Sequence, residues 1–109
     1  MVTKLIKVFV KPGCRDAFLA AQEIWNREMA RTEGFVDVLV GRNRREPDVV
    51  YIEAFWQTRQ HLEKWMKEDH DRIAALAGSD AHYLRLEVTI IEPEPPPESS
   101  TDITSDRTS

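Results

Sequence analysis

One sequence feature constrains the fold of this chain more than any other. It is the order in which strand-like and helix-like spacings of apolar residues follow each other along the chain. Four short segments are rich in β-branched and aromatic residues, which is typical of strands: 5–10, 35–43, 49–56 and 82–92. Two longer segments place apolar residues near the helical spacing, one at 15–31 and one between Thr58 and Gly78. Along the chain, the order is therefore strand, helix, strand, strand, helix, strand.

This order predicts an α+β fold of the ferredoxin-like βαββαβ type, in which two helices lie on one side of an antiparallel sheet. Strands one and three are apolar at successive positions, so both of their faces should be covered. Both helices are expected on the same face, and the sheet of a second copy is the simplest cover for the other. We therefore expect a homodimer.

The second helical segment contains recognisable start, interruption and stop signals. Thr58 is expected to cap its N-terminus, and Gly78 is expected to end it. The polar run 67–71 should bend or interrupt the helix before 73–76 continue it. Its inward positions are expected to be Leu62, Trp65 and Met66. The last strand alternates cleanly, with Leu84, Leu86, Val88 and Ile90 on one face.

The chain is expected to form one folded domain, 1–92, followed by a tail, 93–109. The tail contains four prolines and one aliphatic residue, so it should be disordered. Of the net charge of −4, the tail accounts for −3, because it contains four acidic residues and one basic residue, Arg107. The remaining charge of −1 on 1–92 gives no basic surface for nucleic acid, and we expect no such partner.

Cellular location and bound metal are constrained by what the sequence lacks. The single cysteine, Cys14, excludes an internal disulfide and fits a reducing compartment. No apolar run approaches the roughly 18 residues of a membrane span, and residues 1–7 do not resemble a signal peptide. We expect a cytoplasmic protein without a membrane partner. His61 and His70 lack the spacing of a helical zinc pair, so no metal site is predicted.

Several short segments resemble the antibiotic biosynthesis monooxygenase family of the dimeric α/β-barrel superfamily. The resemblance covers about residues 3–92. Val10-Lys-Pro-Gly13 is similar to the family's turn after strand one, and Glu33-Gly34-Phe35 to its entry into strand two. The segment from Phe55 to Leu62 is similar to its strand-three Trp and helix start, and His70 falls where many members have a histidine. The resemblance implies a dimeric α/β barrel.

The cofactor-independent, quinone-forming oxygenases of this family provide the first functional hypothesis. The resemblance implies a pocket between helices and sheet for a small aromatic or quinone-type compound, with no tightly bound cofactor. His70 is the predicted proton-transfer residue, because imidazole titrates near neutral pH. Trp65, Trp25, His82 and Tyr51 are predicted to line the pocket.

The haem-degrading branch of the family provides the alternative, with haem as cofactor. Trp65 falls on the position of the branch's Trp that presses on the porphyrin. Two other residues differ: the branch has an Asn where this chain has Ile6, and a proximal His near the position of Ala75. Haem binding through His70 would require a shifted loop.

Each candidate residue also has a structural interpretation. His70 is either a solvent-facing residue at a helix break or a pocket residue. Trp65 and Trp25 are either core residues or pocket walls, and His82 is either a buried structural histidine or a catalytic one. A third hypothesis is therefore a non-catalytic, dimeric ligand-binding module, in which aromatic side chains close the cavity and His70 faces water.

Overall fold

The computed structural model describes residues 1–95 of the 109-residue chain and confirms the predicted order of elements. It is an α+β fold with a four-stranded antiparallel sheet and three helices. The elements are β1 (Val2–Val10), α1 (Arg15–Met29), β2 (Phe35–Arg42), β3 (Val49–Trp56), α2 (Arg59–Glu68), α3 (His70–Ala77) and β4 (Tyr83–Ile91), with a 3-10 turn at Ser79–His82. The first strand begins three residues earlier than predicted, at Val2 rather than Leu5.

The sheet has the order β2-β3-β1-β4, so β1 and β3 are the central strands. Successive side chains of a strand point to opposite faces, and the register therefore fixes the two faces. Lys4 lies beside Ala54 of β3 and Ile90 of β4, and Ile6 lies beside Ile52 and Val88. These side chains share the face that the helices cover, which we call the helix-side face. The opposite face is called the outer face.

The core lies between the helices and the helix-side face. Helix α1 contributes Phe18, Ala21 and Met29, which are buried at the spacing that the sequence predicts for its apolar stripe. Trp56 at the end of β3 and Ile73 of α3 are completely buried. Burial of these large side chains against the central strands provides most of the apolar contact that stabilises the fold.

The predicted signals of the second helical segment are confirmed. The Thr58 hydroxyl accepts a hydrogen bond from the His61 backbone N–H at 3.1 Å, and Asp69 separates α2 from α3. Gly78 ends α3 with φ of +62°, a left-handed conformation that favours glycine. Of the predicted inward positions, Leu62 and Trp65 are buried, while Met66 borders the space between helices and sheet and remains 38% exposed. Its side chain lies at the edge of the helical cover.

Strand β4 differs from its prediction at its first residues. His82 belongs to the 3-10 turn, and the strand begins at Tyr83. The pairing register between β1 and β4 shifts between Phe9 and Val10. Leu84 therefore does not continue the row of apolar residues formed by the later part of β4, and it is 66% exposed. Leu86, Val88 and Ile90 do share the helix-side face, but they are exposed because the helices do not extend over this edge strand. The helix-side face is therefore open along β4.

The outer face of the single chain has no covering element among residues 1–95. It contains Leu5, Phe9, Phe55 and Leu39, together with the charged residues Lys7, Arg85 and Glu87. The predicted homodimer would cover this face, and it stays a prediction. The predicted disordered tail lies largely outside the described residues, from 96 onward. No helix in the described part of the chain is long and apolar enough to cross a membrane.

Candidate functional site

A cavity of about 1220 Å³ lies between the three helices and the helix-side face. Its floor is formed by β1 and β3, with Ile6, Val8, Ile52 and Ala54, and it extends along the uncovered side chains of β4. Its roof includes Phe18, Gln22, Trp25 and Met29, which follow one stripe of α1. This volume lies above the range of ordinary small-molecule pockets, roughly 300–1,000 Å³, so a ligand with several fused rings has room to bind.

An aromatic cluster forms one wall of the cavity and brings together three of the predicted site residues. The ring of His70 lies 5.1 Å from that of Trp25 and 5.4 Å from that of Trp65, measured between centroids. The two indoles lie 6.0 Å apart in an edge-to-face arrangement, and Trp56 packs behind Trp65 at 5.2 Å. All three predicted residues border the cavity. The cluster is therefore both part of the core and a pocket wall.

The indole N–H groups of the cluster differ in their hydrogen bonding. The Trp25 Nε1 donates to Ser79 Oγ at 3.0 Å, which ties α1 to the 3-10 turn. The Nε1 atoms of Trp56 and Trp65 are buried and have no hydrogen-bond partner among the described residues. A buried donor without an acceptor is destabilising by about 1–3 kcal/mol. Trp65 thus has a buried donor that no described group uses.

His70 borders the cavity and remains partly accessible, with 30% of its side chain exposed. Its Nδ1 lies 3.2 Å from Asp71 Oδ1. When Nδ1 carries the proton and donates it to Asp71, Nε2 is left as a proton acceptor. The aromatic contacts hold the ring, and its position at the start of α3 places it where the helix break was predicted. The structure therefore places the His70 ring at the cavity wall, with Nδ1 beside Asp71.

Lys4 is a cavity residue that sequence reasoning missed. Its side chain is only 6% exposed, and its Nζ donates to Met66 Sδ at 3.1 Å and lies 5.4 Å from the centre of the Trp65 ring. Burial lowers its pKa from 10.5 to about 8, because the protonated form loses its hydration. No carboxylate of the described residues lies within 4.0 Å of its ammonium group. The sequence does contain the signal, since Lys4 has the parity of Val2, Val8 and Val10.

Two predicted pocket residues do not lie at the cavity. Tyr51 projects from the outer face, since Val50 and Ile52 occupy the helix-side face, and its hydroxyl accepts from Asn43 Nδ2 at 3.3 Å. His82 lies in the 3-10 turn, where its carbonyl accepts from the Lys11 N–H at 2.9 Å. The next residue, Tyr83, borders the cavity instead. The prediction for His82 assumed that the strand already began there.

The donor set at the cavity does not fit the haem-degrading arrangement. Ile6 and Ala75, which replace the Asn and the proximal His of that branch, both border the cavity and offer no iron ligand. His70 is the imidazole at this cavity within residues 1–95, and its ring is packed against two indoles with Nδ1 facing Asp71. The same part of the chain contains no group of three or more His, Cys, Asp or Glu side chains that could hold a metal ion.

Sequence comparison connects the chain with one family and one curated relative. A family model described as a domain of unknown function, DUF4937, matches residues 2–91. The uncharacterised Bacillus subtilis protein YdbC is 28% identical over 98 residues, which cover 88% of this chain and 82% of YdbC. Neither description names an activity.

Structural comparison confirms the predicted fold. The structure of SnoaB, a cofactor-independent oxygenase from Streptomyces nogalater, matches with a TM-score of 0.74 at 19% identity, covering 86% of this chain and 93% of SnoaB. A solved antibiotic biosynthesis monooxygenase matches with a TM-score of 0.70 at 18% identity, covering 87% of this chain and 100% of the other. At identities this low, the structural match shows a shared fold, and the reaction has to be inferred from the residues of the site.

Proposed function

The chain belongs to the DUF4937 family, and from this premise we propose that it is a cofactor-independent monooxygenase that oxidises a small aromatic or quinone-type compound. The observation that carries the proposal is the helix-side cavity with His70, Trp25 and Trp65 on one wall. A flat apolar ring system fits between indole walls and an aliphatic floor, and the wall also presents a proton acceptor. SnoaB, which shares this fold, is described as a cofactor-independent oxygenase.

His70 has the role of the proton acceptor in this proposal. Its Nε2 takes the proton of a phenolic hydroxyl, while Asp71 holds Nδ1 and stabilises the imidazolium that forms. Deprotonation makes the aromatic ring electron-rich, and the ring carbon can then react with dioxygen. The indoles shield one side of the reactive anion from water. No prosthetic group is needed for this step because the substrate itself is the reductant.

The atoms and electrons of the reaction balance without a further reductant. A ring C–H bond and a phenolic O–H bond of the substrate break, and a new C=O bond forms on the ring. One oxygen atom of dioxygen enters the product, and the other leaves as water with the two hydrogens. The substrate supplies all four electrons, and its product is a quinone.

The test measures oxidation of a dihydroxynaphthalene in air by the full chain, without added flavin or metal and in the presence of a chelator. We expect a quinone absorbance to appear, uptake of dioxygen in equal amount, and one labelled oxygen atom in the product under oxygen-18 gas. His70→Ala should reduce the rate by about 10²–10⁴-fold, the usual contribution of a general base. His61→Ala removes an imidazole that does not border the cavity and should leave the rate unchanged. Equal rates for His70→Ala and the unaltered chain would contradict the assignment of His70.

The same experiment separates the two other hypotheses. Absence of oxidation with every dihydroxy aromatic, together with saturable binding of those compounds, would support a non-catalytic ligand-binding module. Titration with haem followed at the Soret band tests the haem hypothesis directly. We expect no saturable change there, since no cavity residue offers the ligands of the haem-degrading branch. A saturable change that His70→Ala abolishes would replace our proposal with that hypothesis.

We also propose that the chain works as a homodimer in which two outer faces cover each other. The supporting observation is the apolar side chains of this face, where Leu5, Phe9 and Phe55 project from the central strands β1 and β3 without any cover from residues 1–95. Light scattering after gel filtration should show a dimer at micromolar concentration. A stable monomer under those conditions would contradict this part of the proposal.

A further inference from the structure

The helix-side cavity contains a charged group that the proposed reaction does not use. Lys4 enters it from near the start of the central strand β1, between Ala54 of β3 and Ile90 of β4. Its ammonium group lies beside the thioether of Met66 and over the Trp65 ring, so its contacts are soft and weakly polar. Neither contact neutralises a positive charge.

The burial of Lys4 is costly to the free protein. Its pKa is lowered to about 8, and loss of hydration is the cause, with no opposing contribution from a nearby carboxylate. At neutral pH most molecules still carry the charge, because a group with this pKa is mainly protonated below pH 8. The cavity of the free protein therefore contains a positive charge that has lost water and gained no anion in exchange.

The other ionisable groups around the cavity do not serve as the missing anion. They come from every surrounding element that carries one: Arg59, Glu63 and Lys67 of α2, His70 of α3, Asp80 of the 3-10 turn, Tyr83 of β4, and Glu92 just beyond it. Arg59 binds both glutamates, with Nη1 3.6 Å from Glu92 Oε2 and Nε 3.8 Å from Glu63 Oε2. Asp80 is exposed and makes no ion pair with Lys4 within the described residues. The acidic groups that border the cavity thus leave Lys4 free.

We propose that the cavity binds aromatic compounds that carry one negatively charged oxygen group, and that Lys4 is the residue that recognises this group. The flat ring system lies against the indole wall and the aliphatic floor, while the phenolate or carboxylate oxygen meets the ammonium group. The bound anion restores the electrostatic stabilisation that the ammonium lost on burial, so binding selects the charged form of both partners. A neutral ligand of the same shape lacks this gain.

This inference rests on the proposed function and narrows it to one class of substrate. An ammonium group beside a phenolic oxygen favours the phenolate, which is the form that must react with dioxygen. Lys4 would then stabilise the anion that His70 generates. The inference is nevertheless a statement about binding, so it can hold or fail whether or not the protein oxidises anything.

The test compares two probes of nearly the same shape, naphthoate and naphthamide, by calorimetric titration of the full chain. Naphthoate has a constant charge at neutral and alkaline pH, and naphthamide is neutral throughout. We expect naphthoate to bind at least about tenfold more tightly than naphthamide at pH 7, since a charge pair shielded from water contributes more binding free energy than a neutral contact. Between pH 7 and pH 9.5 its affinity should fall about thirtyfold, because binding requires the protonated lysine. The affinity of naphthamide should stay constant.

Two variants assign the effect to Lys4. Lys4→Met keeps the length and apolar packing of the side chain and should abolish the preference for naphthoate, while naphthamide affinity changes less than about twofold. Lys4→Arg keeps the charge without titrating in this range, so it should retain naphthoate binding and lose the pH dependence. Naphthol, titrated into Lys4→Arg at pH values above and below its own ionisation, shows whether a phenolate is accepted as well as a carboxylate, because the arginine keeps its charge throughout.

Two results with the unaltered chain would each overturn the inference. One is equal affinity for naphthoate and naphthamide, and the other is a naphthoate affinity that is constant from pH 7 to pH 9.5. Retention of the full preference in Lys4→Met would overturn the assignment to this residue. If naphthoate binds as described and no dihydroxynaphthalene is oxidised, the proposed function fails and the inference stands. If oxidation occurs and the preference is absent, the inference fails alone.

Discussion

Strand β1 places one lysine on each face of the sheet, and the two lysines differ in whether an acidic residue lies beside them. Lys7 projects from the outer face, opposite Glu87 of β4 and over the Phe9 ring at 5.1 Å. Glu87 also accepts a hydrogen bond from Arg85 at 2.7 Å, and this bond is the main reason that its pKa is lowered. Lys4 projects from the helix-side face into the cavity and has no anionic partner in the described chain.

This difference in charge pairing distinguishes the outer face, which we interpret as a surface, from the helix-side face, which we interpret as a binding site. Charges on the outer face are arranged in complementary groups around apolar residues, which suits a face that meets water or a second copy of the sheet. The helix-side face keeps one charge away from water and from every acidic group nearby. Folding gains nothing from that arrangement, because an unpaired buried charge is destabilising. Ligand binding is the process that can use it.

Replacing Trp65 by alanine should give the largest change on the helix-side face. Trp65 is buried between Trp25, Trp56 and His70, and removal of a buried aromatic side chain typically costs about 3–5 kcal/mol. Unfolding in urea, followed by circular dichroism, measures the loss. Leu76→Ala on α3 is the matched control, because Leu76 is 57% exposed and should change the free energy of unfolding by less than about 1 kcal/mol. Similar losses for both variants would contradict the assignment of Trp65 to the core.

Replacing Lys4 by methionine should stabilise the protein, and the effect should depend on pH. The folded-state pKa of about 8 is below the unfolded value of 10.5, so below pH 8 the lysine is protonated in both states and its full burial cost is present. Between pH 8 and 10.5 the unfolded state binds more protons, and the stability of the unaltered chain rises with pH. We expect Lys4→Met to gain at most about 3 kcal/mol at pH 7, from about 1.4 kcal/mol for each pKa unit.

The control for Lys4→Met is the same substitution at an exposed lysine that lies outside the cavity and the outer face. Lys64→Met on α2 should change stability by no more than about 0.5 kcal/mol, which is usual for surface positions. Urea unfolding at pH 7, 8.5 and 10 distinguishes the two variants. The advantage of Lys4→Met should decrease steadily with rising pH. A gain that does not vary with pH would show that packing, rather than the buried charge, is responsible.

Replacing Leu5 by lysine tests the function of the outer face. Leu5 lies at the centre of this face and opposite Glu53 of β3, so a lysine there can pair with Glu53 within the chain. The same charge would be placed in the middle of the proposed dimer interface. We expect the dissociation constant of the dimer to rise at least about tenfold, or about 1.4 kcal/mol, with circular dichroism unchanged. Leu76→Lys should leave the dimer intact, and an unaffected Leu5→Lys dimer would exclude this interface.

The features that sequence reasoning predicted correctly are those determined by local pattern. The order of elements, the Thr58 cap, the break before α3 and the stop at Gly78 each depend on neighbouring residues. Helical spacing likewise places Trp65 and Trp25 on the inward stripes of α2 and α1. Their contacts with each other and with His70 depend on how the helices pack, and the sequence alone did not predict them.

The features that it missed depend on distant partners in the sheet. Val2, Thr3 and Lys4 become strand residues because they pair with the end of β3. Lys4 has the parity of Val2, Val8 and Val10, but this parity indicates an inward side chain only once the strand is known to begin at Val2. A register shift at Phe9 similarly changes the start of β4 and the position of His82. Tyr51 was placed at the wrong face because β3 is apolar on both sides and does not reveal which side meets the helices.

The smallest expected change comes from replacing Thr58 by alanine, and it tests whether the cavity is independent of the surface that supports it. The Thr58 hydroxyl satisfies the His61 backbone N–H at 3.1 Å and lies 2.7 Å from the Nδ1 of the same residue. Loss of an N-cap typically costs about 1 kcal/mol, so urea unfolding should detect a decrease of that size, and Thr58→Ser should restore most of it. Because α2 keeps its packing through Leu62 and Trp65, naphthoate affinity should stay unchanged. A parallel loss of affinity would mean that the cap also controls how α2 closes over Lys4, and the difference between the two faces would then depend on the helix start as well as on the sheet.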